Sequence, residues 1–304
     1  MILSFVLPEL RQKSEVEGMA LFSKEKKVLE PQYYVSATNI PAYNYKVYYM
    51  KPIEKVIYFI LAFAVGAAVG YLFYGGLAKD EFGEATTMTW ILNIVISSIV
   101  GLVAGFMFLP MRTEQIIKKK QNDLKLQFRE LLDALSTSLG SGKNIMDSFK
   151  SAYDDLSIIY SQESAIIKEL LIILDGMANN VDIEKSLMDF GVRSGIEDIE
   201  SFANVFETCY RKGGNIKDVI KNTQQIITEK MEVEMEIQTV VAASTNEQTI
   251  MTILPIALIA IIKMMSPEFA GNFTTPVGII ATTVAIIMFV VAHFVGKAVL
   301  AIKI

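Results

Sequence analysis

The sequence predicts an all-α membrane protein with four transmembrane helices and a cytoplasmic helical-bundle domain between helices two and three. Three observations lead there. Apolar residues make up 52% of the 304 residues while 20% are charged, a mixture of lipid-facing and water-facing parts. Four long stretches carry almost no charge, as a bilayer-spanning helix of about 20 residues requires. Between the second and third, apolar residues recur at helical spacing without strand-like alternation.

Residues 1–55 read as a cytoplasmic N-terminal tail. Its start, MILSFVLPELRQKSEVEG, has a short apolar run and no basic region before it, so no cleavable signal peptide is expected. The tail is rich in tyrosine (Tyr33, Tyr34, Tyr43, Tyr45, Tyr48, Tyr49) and matches no motif.

Residues 56–111 read as the first transmembrane hairpin. Val56–Gly76 and Ala85–Met111 carry no charge, and Lys79, Asp80, Glu81 and Glu84 lie between them. Gly66 with Gly70, and Gly101 with Gly105, have the GxxxG spacing that lets helices approach closely. Residues 249–296 read as the second hairpin. Its first helix, Thr249–Met265, contains Pro255 and ends near Lys263, which is placed to snorkel to the interface. Its second runs from about Thr275 to Gly296 and contains His293. Residues 297–304 form a cytoplasmic C-terminal tail.

Lysine and arginine set the orientation. Lys46, Lys51 and Lys55 precede the first span; Arg112, Lys118, Lys119, Lys120 and Lys125 follow the second; Lys297 and Lys303 follow the fourth. The first hairpin loop carries only Lys79, and the second carries no basic residue after Lys263. Both loops are therefore expected outside, and both termini and residues 112–248 inside.

Within residues 112–248 the stripes are clear. Leu124, Phe128, Leu131, Leu132, Leu135 and Leu139 share one helical face. Ile145, Phe149, Ala152, Tyr153 and Leu156 form the next. The stretch Ile166–Met177 is apolar on most faces and is expected to be central. Ile199, Phe202, Ala203, Phe206, Cys209 and Tyr210 form another stripe. Ile216, Val219, Ile220 and Ile226 open a long helix expected to continue into the third span.

Two turns share one scheme. In SGKNIMDSF and KGGNIKDVI, glycine (Gly142; Gly213 and Gly214) ends a helix where left-handed backbone is needed. Asn144 and Asn215 cap the next helix, and Asp147 and Asp218 stand three residues on, where a carboxylate favours the helix start. Asp182 is the expected cap in NNVDIEKSL.

Several chemistries are excluded. One cysteine, Cys209, permits no intrachain disulfide, and one histidine, His293, permits no Cys/His zinc site. A net charge of −5 offers no basic footprint, so no nucleic acid partner is expected. GSGKN at 140–144 is not a phosphate loop: Asn144 replaces the required Ser or Thr, Thr137 stands where the first glycine belongs, and no strand precedes it. The acidic groups Asp154 with Asp155, and Glu197, Asp198 and Glu200, read as solvated helix faces. No catalytic residue, cofactor or metal is expected, and the chain does not read as an enzyme.

The order of two spans, a helical domain and two more spans, with LLDALSTSLGSGKNIMDSF, FANVFETCYRKGGNIKDVI and TILPIALIAIIKMMSPEFAGNFTTPVGIIA within it, resembles the type II secretion system F-domain family. The likeness is to the single-domain members of tight-adherence (Tad/Flp) pilus systems, of TadB or TadC type, and covers Leu124 onward. Members usually carry threonine or a similar small residue before the paired glycines, where this chain has Lys212. The resemblance implies a plasma-membrane platform protein without catalysis of its own. It implies three protein partners: an assembly ATPase, pilin subunits, and a sister platform protein or second copy. Lys118, Lys119, Lys120, Arg211 and Lys212 are then candidate ATPase contacts, with phospholipid as the competing partner for the lysines. A small transporter or channel subunit, which would need polar groups such as Asn93, Ser97 and Ser98 inside the spans, is the alternative; a helical signalling protein is another.

Overall fold

The computed structural model describes residues 30–36, 40–78 and 84–300. The expectations on the first 29 residues, on Lys79, Asp80 and Glu81, and on Lys303 lie outside the described residues.

A short antiparallel hairpin comes first: β1 (Tyr33–Val35) and β2 (Pro41–Tyr43), with Tyr33 opposite Tyr43. Helices follow: α1 (Pro52–Tyr74), α2 (Thr87–Gly140), α3 (Ile145–Ile159), α4 (Ala165–Ala178), α5 (Ile183–Ser194), α6 (Glu197–Lys212), α7 (Ile216–Met265), α8 (Pro267–Asn272) and α9 (Pro276–Leu300). Four of them, α1, α2, α7 and α9, are long and apolar enough to cross a membrane. The chain is thus a multi-pass, all-α membrane protein.

Two helices do more than span. α2 has 54 residues and α7 has 50, lengths of about 80 and 75 Å at 1.5 Å per residue. The boundary expected near residue 111 is not a break: α2 continues through Pro110 into the bundle. α7 likewise joins the bundle to the third span as expected, with Pro255 inside it.

The GxxxG pairs face each other. Gly66, Gly70, Gly101 and Gly105 are all buried. A methyl group at Gly66 would lie 2.6 Å from Ala104 Cβ, and one at Gly101 would lie 2.8 Å from Phe63. Only hydrogen in place of a side chain allows α1 and α2 this separation.

Helices α2 to α7 share one hydrophobic core. Leu124, Phe128, Leu131, Leu132 and Leu135 of α2 are buried, as their spacing predicts; Leu139 is half-buried against the core's edge. Phe128 is the centre of an aromatic cluster, 6.0 Å from Phe190 and 5.4 Å from Phe202 between ring centroids. In α4, Ile166, Ile167, Leu170, Ile172 and Ile173 are buried while Leu171 is exposed, so this helix is central on most but not all faces. Ile220 and Ile227, two turns apart, are the core residues of α7; Ile226, expected with them, stands one residue off that face and is exposed, as is Tyr210 at the end of the α6 stripe. Lys125 pairs with Glu234, and Gly140 stands beside Lys217, so α2 and α7 are antiparallel. Both turns of the shared scheme therefore sit at one end of the bundle, remote from the spanning stretches.

The segment read as an N-terminal tail is not free. Tyr45 belongs to the bundle core, and Ala42, Asn44 and Met50 are also buried.

Candidate functional site

The expected site residues fall into two places. The far end of the bundle holds Gly142, Asn144, Arg211, Lys212, Gly213, Gly214, Asn215 and Asp218, all exposed. Lys118, Lys119 and Lys120 lie on α2 toward its spanning part, roughly 33 Å from Gly140 along the helix axis. The two groups therefore lie well apart on the same copy.

At the far end, Gly142 (φ +88°) and Gly213 (φ +71°) take the left-handed backbone that glycine adopts without strain. Gly214 is required for a different reason: a methyl there would lie 2.3 Å from Cys209 Sγ. The Gly214 N–H donates to Cys209 O at 2.8 Å, closing the α6 terminus. Asn144 caps α3, its Oδ1 accepting from the Asp147 N–H at 2.8 Å. Its Nδ2 also donates to Asp147 Oδ2 at 2.7 Å.

Two expected caps are corrected. Asn215 makes no side-chain cap bond; its amide is drawn to Asp218 Oδ2 at 2.6 Å instead. Asp182 makes none either, because its carboxylate pairs with Lys185 at 2.7 Å. At Asp182 the lysine replaces the backbone N–H as partner; at Asn215 the backbone differs, with ψ at 93° where the capping Asn144 has 170°. Arg211 is shared between Glu184 (3.5 Å) and Glu207 (3.1 Å).

Near the spans, Lys118 pairs with Glu114 at 2.9 Å on the surface, and Lys119 is exposed. Lys120 is engaged within the chain. Its Nζ donates to Tyr43 Oη at 2.9 Å and stands 4.8 and 4.5 Å from the Tyr43 and Tyr48 ring centroids. This is a cation held between two aromatic faces.

Beside it lies a buried polar network that the sequence reading missed. Arg193 donates to Glu169 through Nη1 (2.8 Å) and Nη2 (2.7 Å), to Tyr43 O through Nη1 (2.9 Å) and to Asp189 Oδ2 through Nε (2.7 Å). Tyr45 Oη donates to Glu169 Oε1 at 3.1 Å. Burial pushes the Glu169 carboxyl up, while the bonds from Arg193 and Tyr45 oppose that rise. Burial and the adjacent Glu169 push the Tyr45 phenol well above its ordinary value. The groups are mutually satisfied, an arrangement suited to holding a shape.

In the acidic stretch of α6, Glu197 and Glu200 are exposed as expected, but Asp198 binds Lys230 and, at 3.4 Å, Lys125. Among the described residues no group of three or more His, Cys, Asp or Glu could hold a metal ion.

In the spanning region Lys263 turns toward the end of α1. Its Nζ donates to Leu72 O at 2.6 Å, a carbonyl left open by the end of α1, and lies 4.4 Å from the Phe273 ring centroid. Asn93 Oδ1 accepts from the Gly76 N–H at 3.0 Å. A cavity of about 750 Å³ separates α7 from the α1–α2 pair, its wall mostly apolar with Thr89, Asn93 and Lys263 as polar points.

No protein-family model, curated protein or solved structure matches this chain.

Proposed function

We propose that the chain is a platform protein of a type IV (Tad/Flp-like) pilus or type II secretion assembly machine, seated in the plasma membrane with both termini and the helical bundle cytoplasmic. In this reading the bundle receives an assembly ATPase, the spans act on pilin subunits, and the platform pairs with a sister protein or a second copy. The sequence resemblance supports this reading. The observation that carries it is the continuity of α2 and α7, each a single helix from the bundle's far end into a spanning stretch. A load applied at the far turns reaches the membrane through helix, with no loop between. Arg211 and Lys212 are exposed at that end and are the ATPase contacts we favour. The experiment is co-purification of the full-length protein with its cognate assembly ATPase in both nucleotide states. Capture that weakens when Arg211 and Lys212 are replaced by glutamate is expected. No capture in either state overturns the reading, as does ATP hydrolysis by the purified chain alone.

The cavity between the spans favours a second reading, a small transporter or channel subunit, because polar groups stand inside an otherwise apolar membrane region. Solute or ion flux in liposomes carrying only this protein, abolished by Asn93→Leu, would select it.

A further inference from the structure

Helices α2 and α7 enter the spanning region directly from the bundle, but α1 has no such continuity; a non-helical segment precedes it. That segment is nevertheless held at three successive points. The first is Tyr45, whose hydroxyl donates to Glu169 and whose N–H donates to Arg193 O at 2.9 Å. The second is Lys120 of α2, seated between the rings of Tyr43 and Tyr48. The third is Tyr48, whose hydroxyl donates at 2.8 Å to Glu54 Oε2 in the first turn of α1. The same carboxylate accepts from the Lys51 N–H at 3.3 Å. An unbroken chain of contacts thus leads from the buried ion pair to the start of α1.

The other pair of spans is held to the bundle less far along: Met231 packs against the core and Glu234 pairs with Lys125, while single hydrogen bonds join its outer ends to α1, Lys263 Nζ to Leu72 O at 2.6 Å and Tyr74 Oη with Thr283 Oγ1 at 3.0 Å. Past Glu234 the described α7 side chains on the way to the membrane, residues 235–247, are half-buried or exposed; Met235 is 57% exposed. Among the described residues in the spanning parts of α7 and α9 only Thr282 is buried, whereas α1 and α2 meet glycine to glycine.

We propose that residues 40–50 are a clamp that fixes α1, and through the glycine contact the whole α1–α2 pair, to the bundle as one rigid body. The α7–α9 pair then moves relative to that body on the exposed stretch of α7 past Glu234. This division does not depend on the filament or on any ATPase.

The test uses the purified full-length protein in lipid nanodiscs with Cys209→Ala. Spin labels are placed at Asp155 in the bundle with Leu61 in α1, and at Asp155 with Val284 in α9. All three positions are exposed. A narrow distance distribution is expected for the α1 pair and a broad one for the α9 pair. In the double variant Tyr45→Phe with Lys120→Met, amide exchange at residues 43–46 should rise roughly tenfold, as loss of their hydrogen-bonded anchors implies. The α1 distribution should broaden toward that of the α9 pair, while exchange in α3 to α6 stays unchanged. If exchange rises throughout the bundle, Lys120→Met alone is read the same way, since that side chain lies outside the core. Three results overturn the proposal: an α1 distribution in the unmodified clamp as broad as the α9 one, faster segment exchange with no broadening, or no response in either measurement.

Discussion

Arg193 grips Glu169 with two parallel hydrogen bonds, and both side chains are almost wholly buried, 3% and 1% exposed. Such a pair is costly to desolvate, and breaking it is costlier still, because the remaining charge has no water and no partner. Arg193→Met is expected to destabilise the bundle by about 3–5 kcal/mol. Adding Glu169→Leu should recover most of that loss. Denaturant titration of the four proteins, followed by circular dichroism, checks it. A double variant no more stable than Arg193→Met alone would show that packing, not charge, holds this site.

The far turns separate two kinds of glycine. Gly214→Val meets Cys209 Sγ and should cost roughly 1–3 kcal/mol, the ordinary range for forced overpacking. Adding Cys209→Ala should recover part of it. Gly213→Ala meets no atom within 4 Å but keeps φ at +71°, and should cost about 1 kcal/mol whatever stands at 209. In the platform reading Gly214→Val also re-aims α7, so surface filaments should be lost while membrane-inserted protein remains. Filaments at the unmodified level would remove this turn from the mechanism.

The caps differ although their sequences agree. Asn144→Ala removes a formed cap bond and should cost about 1 kcal/mol. Asn215→Ala removes only an exposed side-chain bond to Asp218 and should cost less than about 0.5 kcal/mol. Equal losses in the same denaturation assay would restore Asn215 as a cap.

Tyr160 supplies a pH dependence outside the membrane. Its hydroxyl donates to Glu130 Oε2 at 2.7 Å; burial first, and this bond second, push its pKa from the ordinary 10.0 up to about 12. The folded state therefore holds the proton after the unfolded state has released it. Its contribution to stability is complete below pH 10 and is lost as pH rises toward about 12. Tyr160→Phe should remove this part of the alkaline decline, and the phenolate absorbance of the folded protein should lose a late-titrating tyrosine. A Tyr160 phenolate appearing near pH 10 would contradict the geometry.

Orientation is open to direct chemistry. With Cys209 replaced by serine, a cysteine at Asn272 should react with an impermeant reagent in intact cells, and one at Asn222 should react only after lysis. The lysines before α1 and along α2 motivate the expectation. Labelling of Asn222 in intact cells would invert it.

Much of this protein is determined by sequence alone. Four charge-poor stretches suffice for four spans, because lipid admits only backbones that satisfy their own hydrogen bonds, and a helix does so locally. The stripes in α2, α3 and most of α6 are local too, since helical period alone puts Leu124, Phe128 and Leu131 on one side; at the start of α7 the packing chose Ile227 over Ile226. The tertiary structure decided what distant residues settle jointly. Whether Gly66 and Gly101 touch lipid or each other depends on which helix packs against which. Asn144 and Asn215 stand in like sequences and both donate to the aspartate three residues on, yet only one caps, because the turn sets ψ at 170° for Asn144 and 93° for Asn215. The N-terminal segment shows the difference most sharply. Nothing near Tyr45 in the chain marks it as a core residue; its partner Glu169 stands 124 positions away. A short polar, tyrosine-rich stretch has no periodicity from which burial can be read, so its place became legible only when α4 and α5 brought Glu169 and Arg193 together to receive it.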